Sequence, residues 1–538
     1  MCAGAGTADA SVPVRIIDLY APVKHTSRRG FPSRPEPRPF RRTRDMTCKL
    51  SLATLQQVAA KVAIPAYDRK SLSAGIVHFG VGNFHRAHQA IYLDDLFNTG
   101  EAHDWAIIGA GVLPSDAAMR EKLAAQDFLT TVVEQDNNRT AARVTAPMID
   151  ILPVGDAKAT IAKLADPTIR IVSMTITEGG YFIDASGKFN PAHPAIVADG
   201  QNPDAPKTVF GLIVAGLKAR RAAGLPPFTV MSCDNIPHNG GVTKAAVVGT
   251  AKLSDPAFAD WIAANVAFPN GMVDRITPAT GAREIDLLKE AFDIEDNWPV
   301  YCEEFKQWVL EDNFPAGRPP LEKVGVTFVP DVTPYEHMKI RILNGGHAAI
   351  AYPAALMDIH FVHEAMEDPL IRAFLAKLEN DEIISVIPPV PNTVLADYFK
   401  LIEHRFANPK IADTIPRLAQ DGSNRQPKFI LPSTADRLRR GEDIVGLALV
   451  SALWCRYFAG KSDSGKEIVF NDASADRLHE AALKAKDDPN AFLVFDDIFG
   501  DVAKSDLFRK RFAHALKTLW EKGTRVTLQL YLDNKLAE

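Results

Sequence analysis

Three polar side chains that could take part in one proton transfer lie close together in an otherwise apolar segment. Residues 331–352 read DVTPYEHMKIRILNGGHAAIAY and contain Lys339, Asn344 and His347. On an α-helix, Asn344 would lie about 140° and His347 about 80° from Lys339, so all three fit on one broad face. The Gly345-Gly346 pair that follows Asn344 could bend this helix locally.

The residues around Lys339 indicate what its amine can do. Most of its neighbours in this segment are apolar, and Glu336 lies one turn before it. Burial among apolar groups disfavours the charged ammonium, so a lysine in such a helix has a pKa shifted toward neutrality and can serve as a general base. The alternative is a lysine that reaches the surface and pairs with Glu336.

An asparagine follows directly after a predicted buried strand elsewhere in the chain. The run FTVMSC at 228–233 leads into Asp234, Asn235, Ile236 and Pro237. Ligands of open α/β sheets bind beyond the carboxyl ends of the strands. The Asn235 amide could therefore donate a hydrogen bond to an oxygen that gains negative charge during hydride transfer. The alternative is an ordinary turn asparagine.

A glycine loop follows the first predicted strand, IVHFGVG at 76–82. It predicts a dinucleotide site made by Gly80, Val81, Gly82, Asn83, Phe84, His85, Arg86 and His88. The glycines permit a tight turn and a close approach of a pyrophosphate, and the next helix would point its N-terminus at the phosphates. His85 replaces the third glycine of the usual GxGxxG pattern, so this helix must pack differently on its strand. The alternative is a plain glycine turn.

The preference between NAD and NADP is poorly marked. An acidic residue that reads the ribose is expected near the end of the second strand. That strand ends in GVLP at 111–114, with Asp116 just beyond and no arginine at the same place. The residues at this strand end therefore favour neither NAD nor NADP.

The elements that must position these residues alternate between apolar runs and helical stretches. Strands are expected at 76–82, 105–112, 128–135, 169–177 and 228–233, with a last one at 324–332. This alternation predicts an α/β fold with a doubly wound, Rossmann-type parallel sheet over 46–332. From 333 to 538 the apolar residues recur at helical spacing, which predicts a mostly α-helical substrate-binding and catalytic domain.

Composition excludes several classes of partner. The chain has 538 residues, 46% hydrophobic, and a net charge of -5, which does not favour nucleic acid or an anionic membrane as a partner. No apolar run is long enough to cross a membrane. The five cysteines form no CxxC pair and no zinc spacing, so we expect no metal and reduced thiols in a cytoplasmic protein. Residues 1–45 are rich in arginine and proline, which predicts a disordered, dispensable tail before Met46.

Four segments together resemble the polyol-specific long-chain dehydrogenases. They read GVGNFHRAH, SCDNIPHNG, VDRITP and KIRILNGGH, and the likeness extends from about residue 50 to the C-terminus. The stretch DTIPRLAQDGSNRQPKFILP at 413–432 resembles the mannitol-oxidising branch of that family. The resemblance implies a monomeric, metal-independent enzyme that reversibly oxidises the polyol D-mannitol at C2 to the ketose D-fructose with NAD.

The resemblance also implies a role for individual residues. Lys339 would be the general base, Asn235 and Asn344 the oxyanion hole, His347 the group that orients the substrate hydroxyls, Glu336 the proton relay to water, Arg417 a ligand of the polyol chain, and Asp274 a neighbour of the nicotinamide.

Two kinds of alternative remain at this point. The same chemistry could act on D-arabinitol, D-sorbitol or a hexuronate, and a carboxylate substrate would need a further cation, for which Arg417 and Lys428 are candidates. A non-catalytic cofactor-binding sensor would be a different class of protein. It predicts loss of the lysine or of the amides, and the sequence retains them.

Overall fold

The computed structural model of the protein describes residues 47–184 and 187–537. The tail predicted at 1–45, and Met46 after it, lie outside the described residues. The chain divides into two compact units between Val332 and Thr333.

The first unit contains all thirteen strands of the described residues and ten α-helices. Its strands are β1 (Cys48–Lys49), β2 (Ala74–Phe79), β3 (Ala106–Ala110), β4 (Thr130–Gln135), β5 (Thr140–Thr145), β6 (Met148–Ile151), β7 (Ile171–Met174), β8 (Thr229–Ser232), β9 (Gly271–Asp274), β10 (Ile294–Glu295), β11 (Val300–Glu303), β12 (Gln307–Glu311) and β13 (Thr327–Val329). Its helices are α1 (Leu55–Val58), α2 (Asn83–Ala87), α3 (Gln89–Asn98), α4 (Pro114–Ala124), α5 (Ala157–Leu164), α6 (Pro194–Gln201), α7 (Val209–Ala222), α8 (Asn239–Lys252), α9 (Pro256–Asn265) and α10 (Ala282–Phe292).

A five-stranded parallel sheet forms the centre of this unit, in the order β6-β3-β2-β7-β8. The chain starts in the middle at β2, builds outward on one side through β3 and β6, and then continues on the other side with β7 and β8. The strand order therefore reverses next to β2, which makes the carboxyl ends of β2 and β7 the switch point where ligands bind in such sheets. This order confirms the predicted doubly wound fold.

Both faces of the sheet are covered, as the apolar runs require. Val77 and Phe79 of β2 point into one hydrophobic core, whereas Ile76 points into another. Successive side chains of a strand alternate between faces, so a strand that is apolar throughout must be buried on both sides.

Two of the predicted strands do not belong to this sheet. The run at 128–135 forms β4, which pairs antiparallel with β5 and parallel with β11 in a separate three-stranded sheet. The reason is a short hairpin, in which the Asp136 amide donates to the Arg139 carbonyl at 2.8 Å and returns the chain onto β4. The unpredicted β6 takes the edge position instead. The run at 324–332 contains only the short β13, in a third sheet with β12 and β9.

The second unit is helical, and β pairing within residues 333–537 is limited to two single bridges. Its helices are α11 (Thr333–Met338), α12 (Gly345–Leu356), α13 (Val362–Glu367), α14 (Pro369–Leu378), α15 (Leu395–Phe406), α16 (Ile415–Ala419), α17 (Gly422–Phe429), α18 (Leu431–Arg440), α19 (Val445–Phe458), α20 (Ala475–Lys484), α21 (Asp496–Phe499) and α22 (Asp506–Leu532). Two π turns interrupt this series, at Lys339–Asn344 and at Glu379–Ile383. The first of them carries two of the predicted site residues.

Candidate active site

Gly80 holds the glycine loop in a conformation that other residues do not tolerate. Its φ is +89°, and a Cβ on it would lie 2.1 Å from the Thr175 carbonyl oxygen. The Thr175 hydroxyl donates to the Gly80 carbonyl at 2.7 Å. The end of β2 is thereby fixed against the segment that follows β7.

Gly82 has a different role, because a Cβ on it would meet no atom within 4 Å. Its backbone is extended, with φ of −82°, and it immediately precedes α2. Residues 80–82 line a cavity of about 530 Å³, together with 110–113 after β3 and 175–177 after β7. This volume is typical of small-molecule sites. The open space over Gly82 lets a ligand approach the backbone closely, so the loop fits the pyrophosphate of a dinucleotide.

The polar side chains that follow the glycines are committed to contacts inside the protein. The Asn83 amide donates to the Pro278 carbonyl at 3.0 Å and to the Thr280 hydroxyl at 2.9 Å. Arg86 is 1% exposed and donates to the carbonyl of Trp298 and, at 2.9 Å, to Asn83. These side chains hold the loop in place, so a ligand at this loop would meet mainly the backbone of 80–82.

The two histidines of this segment are also buried. His85 stacks on His78 of β2 with ring centroids 3.6 Å apart, and His88 Nε2 donates a hydrogen bond to the Gln307 carbonyl at 2.9 Å. Burial lowers the pKa of His78 and of His88 to about 3, and that of His85 well below its usual value. The stacked rings occupy the place of the missing third glycine. The backbone accommodates them by ending α2 at Ala87 and starting a separate helix, α3, at Gln89.

Asp116 is occupied by the backbone. Its carboxylate accepts hydrogen bonds from the amides of Val112 at 2.9 Å and Leu113 at 2.8 Å, which caps the start of α4. The residue lines the cavity, but this oxygen stabilises the turn after β3. Asp116 is thus placed to shape the turn where a ribose reader is expected.

The π turn changes the relation between Lys339 and Asn344. In this turn the Gly345 amide donates to the Ile340 carbonyl five residues earlier, rather than four as in an α-helix. Residues five apart therefore come close to the same face, and the separation of about 140° expected for a regular helix is wrong. The irregularity also precedes the glycine pair, which was the expected place for a bend.

Gly346 serves close packing instead of a bend. A Cβ on it would lie 3.3 Å from the Phe406 ring and 3.4 Å from Oε1 of Glu379. Contacts this short leave little room for a side chain, so glycine lets α12 pass close to α15 and to the second π turn.

Lys339 and Glu336 are both buried, at 6% and 4% exposure. Glu336 belongs to α11, one turn before Lys339. The surface lysine that the sequence left as an alternative is therefore wrong, because the Lys339 side chain does not extend into solvent.

His347 lies against the ring of Phe406, with centroids 4.0 Å apart and planes inclined by 15°. Burial lowers its pKa well below the usual value, and the positive charges of Arg417, Arg405 and Arg425 lower it further. The imidazole is therefore neutral near neutral pH, with one nitrogen able to donate and the other to accept.

Arg417 lies near His347 and is held by one acid. Its guanidinium donates two hydrogen bonds to the Asp413 carboxylate, one of them at 2.5 Å, and its side chain is 51% exposed. Arg405 and Arg425 are further cations around His347 that the sequence did not single out. Arg425 lies in the quoted 413–432 stretch, but Arg405 is an ordinary member of α15 by spacing alone. Lys428, the other cation considered earlier, is exposed on α17.

The remaining predicted residues lie in the first unit. Asn235 is exposed just beyond the carboxyl end of β8. Asp274 is buried at the end of β9, in the sheet that β9 forms with β12. Its negative charge raises the pKa of His88, against the larger lowering by burial. The structure thus groups Lys339, Asn344, His347 and Arg417 within the second unit. The glycine loop and Asn235 lie at the carboxyl edge of the central sheet of the first.

Within residues 47–184 and 187–537, no three or more His, Cys, Asp or Glu side chains are grouped so that they could hold a metal ion. No helix of these residues is long and apolar enough to cross a membrane.

Comparison with known proteins links both units to one family. Residues 74–323 match the mannitol dehydrogenase Rossmann domain, and residues 331–520 match the mannitol dehydrogenase C-terminal domain. The chain is 59% identical over 472 residues to a mannitol 2-dehydrogenase of Cereibacter sphaeroides, which covers 88% of this chain and 99% of that protein.

Two solved structures are similar over nearly the whole chain. One is the Pseudomonas fluorescens mannitol 2-dehydrogenase in a ternary complex with NAD and D-mannitol, at 44% identity and a TM-score of 0.81, covering 90% of this chain and 99% of that one. The other is a substrate-free D-sorbitol dehydrogenase at 36% identity and a TM-score of 0.82, covering 89% of this chain and all of that one. With two family domains and these relatives matched along most of its length, the chain belongs to the mannitol dehydrogenase family.

Proposed function

We propose that this protein is an NAD-dependent oxidoreductase that reversibly oxidises D-mannitol at C2 to D-fructose. The observation that carries the proposal is the match over 99% of the mannitol 2-dehydrogenase solved with NAD and D-mannitol. An assay of NAD and NADP reduction over a panel of polyols, with fructose reduction as the reverse reaction, tests it. Turnover of every polyol at the background rate would contradict it.

D-Sorbitol is the second candidate substrate. The similarity to a D-sorbitol dehydrogenase over 89% of the chain favours it. Mannitol and sorbitol differ only in configuration at one carbon, so the ratio of their kcat/KM values decides between them.

We assign the coenzyme to the first unit and the substrate to the second. The backbone of 80–82 would bind the pyrophosphate, because Gly80 permits the turn and Gly82 leaves the space open. When NAD is bound, its nicotinamide ring takes up the hydride that leaves the substrate carbon. Asp274 is proposed to lie beside that ring.

The proton of the alcohol is proposed to leave through Lys339. Burial disfavours the charged ammonium, so the Lys339 amine can accept the hydroxyl proton. Glu336, one turn earlier and equally buried, would then pass that proton to water. Both residues sit on the same interrupted helix, which fixes their spacing.

Neutral donors are proposed to stabilise and orient the substrate oxygen. The side-chain amides of Asn344 and Asn235 would donate hydrogen bonds to the oxygen as it gains negative charge. The neutral imidazole of His347 would contact the neighbouring hydroxyls, and Arg417 would bind the polyol chain. No step of this proton path needs a metal ion.

The localisation and the oligomeric state of the enzyme are also proposals. Four cysteines, Cys48, Cys233, Cys302 and Cys455, are buried thiols without disulfides. Reduced thiols are typical of the cytoplasm, and the net charge of -5 does not favour nucleic acid. We propose a cytoplasmic monomer, and sedimentation of the purified protein over a range of concentrations tests the monomer.

Replacing Gly82 by valine should abolish coenzyme binding while the fold survives. The new side chain would enter the open space over the loop, where it meets no protein atom but blocks the phosphates. Fluorescence titration with NADH should show a rise in Kd of about a hundredfold or more, which corresponds to loss of the phosphate contacts. The melting temperature should stay near that of the parent.

Gly80→Val is the matched comparison for this variant. Its side chain would collide with the Thr175 carbonyl and need a left-handed φ, so this variant should lose stability as well as coenzyme binding. NADH binding by Gly82→Val with an unchanged Kd would contradict the placement of the coenzyme.

Replacing Arg417 by alanine should weaken substrate binding without affecting the coenzyme. A hydrogen bond to a charged donor contributes roughly 1.5–3 kcal/mol, so the KM for mannitol and for fructose should rise by about tenfold or more. The Kd for NADH should not change. Arg439→Ala is the control, because Arg439 forms a similar exposed pair with Asp436. An increase in the NADH Kd alone would remove Arg417 from the polyol site.

Replacing Lys339 by alanine should abolish most of the turnover. A positioned general base contributes about 10²–10⁴-fold, so kcat for mannitol oxidation should fall by at least that order while NADH still binds. In the parent, the oxidation rate should rise with pH as Lys339 loses its proton. His347 cannot cause that rise, because its pKa lies well below its usual value and it is already neutral.

The measurement is kcat of both proteins between about pH 6 and pH 10, a range that spans the expected titration of a desolvated lysine. Lys484→Ala, an exposed lysine paired with Glu480, serves as the control and should match the parent. Turnover by Lys339→Ala within a few-fold of the parent, with the same pH profile, would show that Lys339 is not the base.

A further inference from the structure

Asp234 is a buried aspartate between the coenzyme cavity and Asn235. It is 8% exposed and follows β8 by two residues. Its carboxylate accepts the amides of Ile176 at 2.9 Å and Thr177 at 3.0 Å, and the hydroxyl of Tyr181 at 2.7 Å. The proposed mechanism gives this residue no part.

Hydrogen bonds to the Asp234 carboxylate connect the segments that follow β7 and β8, beyond the last backbone pairing of these two strands. β7 and β8 run parallel, with Met174 opposite Ser232, and the last backbone bond between them joins the Cys233 amide to the Met174 carbonyl at 2.8 Å. Beyond this point the segments that follow β7 and β8 are no longer paired through their backbones. The Asp234 carboxylate bridges the gap at the carboxyl edge of the sheet, where the cavity opens.

The segment that Asp234 holds has a strained backbone. Thr177 has φ of +62° and ψ of +163°, a region that strains a β-branched residue. Thr177 is exposed and lines the coenzyme cavity. Its amide is one of the two that donate to Asp234. Such a conformation persists only when surrounding contacts impose it.

The same segment supports the glycine loop. Thr175 is the residue whose carbonyl leaves no space for a side chain at Gly80, and its hydroxyl donates to the Gly80 carbonyl. Contacts therefore run from Asp234 through residues 175–177 to the loop that binds the pyrophosphate. Asn235, the proposed amide donor, is the next residue after Asp234.

We propose that Asp234 is a positioning residue that sets the 175–177 segment for the coenzyme and Asn235 for the substrate oxygen at the same time. The second half of this inference rests on the proposed role of Asn235. Replacing Asp234 should therefore change coenzyme affinity and turnover together, whereas replacing Asn235 should change turnover alone.

The first test is Asp234→Asn, which keeps the size of the side chain. The asparagine NH₂ group replaces one carboxylate oxygen, so one of the two backbone amides that donate to Asp234 loses its acceptor. The Kd for NADH, titrated by fluorescence without substrate, should rise on the order of tenfold, and kcat should fall on the order of tenfold. The melting temperature of the coenzyme-free protein should fall as well. A Kd and kcat equal to those of the parent would overturn the proposal.

The second test is the double variant D234N/T177G. Glycine adopts a positive φ without strain, so residue 177 no longer needs the carboxylate to keep its conformation. The Kd for NADH should return to within about threefold of the parent, roughly 0.7 kcal/mol. A Kd as weak as that of D234N alone would overturn the route through Thr177.

Asp94→Asn is the matched control. Asp94 is equally buried and accepts a tyrosine hydroxyl, from Tyr67 at 2.6 Å, and a backbone amide, from Ala146 at 3.1 Å, but it does not line the cavity. It should lower the melting temperature and leave the Kd for NADH unchanged. An equal loss of NADH affinity in D94N would reduce the D234N result to general destabilisation and overturn the proposal.

Two further variants keep the outcomes distinct. If D234N does not fold, Asp234→Glu is used instead, because it keeps the carboxylate and displaces it by one methylene. D234E should raise the Kd for NADH several-fold, and a Kd like that of the parent would overturn the proposal. Asn235→Ala should lower kcat and leave the NADH Kd unchanged. A wild-type kcat in N235A would instead contradict the proposed function of Asn235, while the effect of D234N on NADH binding would still stand.

Discussion

The burial of the Lys339 amine is the constraint around which the second unit is organised. An ammonium group loses several kcal/mol of hydration in an apolar interior, so a buried lysine either finds partners or releases its proton. Lys339 is 6% exposed in the middle of an interrupted helix whose neighbours are mostly apolar. The same burial makes this position costly for stability, and it is the observation that motivates the proposed role of Lys339 as a base.

The π turn at Lys339–Asn344 changes the position of Lys339 relative to Asn344. A regular helix would place Asn344 away from Lys339, whereas the wider turn brings the amine and the amide toward one face. The cations around His347 keep its imidazole neutral, because the positive charges of Arg417, Arg405 and Arg425 lower its pKa.

The first unit depends on close contact between two strand ends. Gly80 touches the Thr175 carbonyl, and Asp234 holds the amides that follow Thr175. The two strand ends meet largely through backbone atoms, so these contacts leave few side chains to mark them in a sequence. Among the polar residues after Gly82 that were predicted to bind the coenzyme, Asn83, Arg86 and His88 also fasten the loop to the rest of the unit.

The sequence alone predicted the doubly wound sheet, the glycine turn and the helical second half, and it places Lys339, Asn344 and His347 in one short segment, since each of these depends on local periodicity or on short spacing. It did not place β4 outside the central sheet, because strand partners are chosen by hairpin contacts and not by apolar pattern. It did not reveal the π turn, Arg405 beside His347 or the bonds from Asp234 to Ile176 and Thr177. These features join residues distant in the chain or change a backbone hydrogen-bond pattern, and only tertiary packing decides either of them.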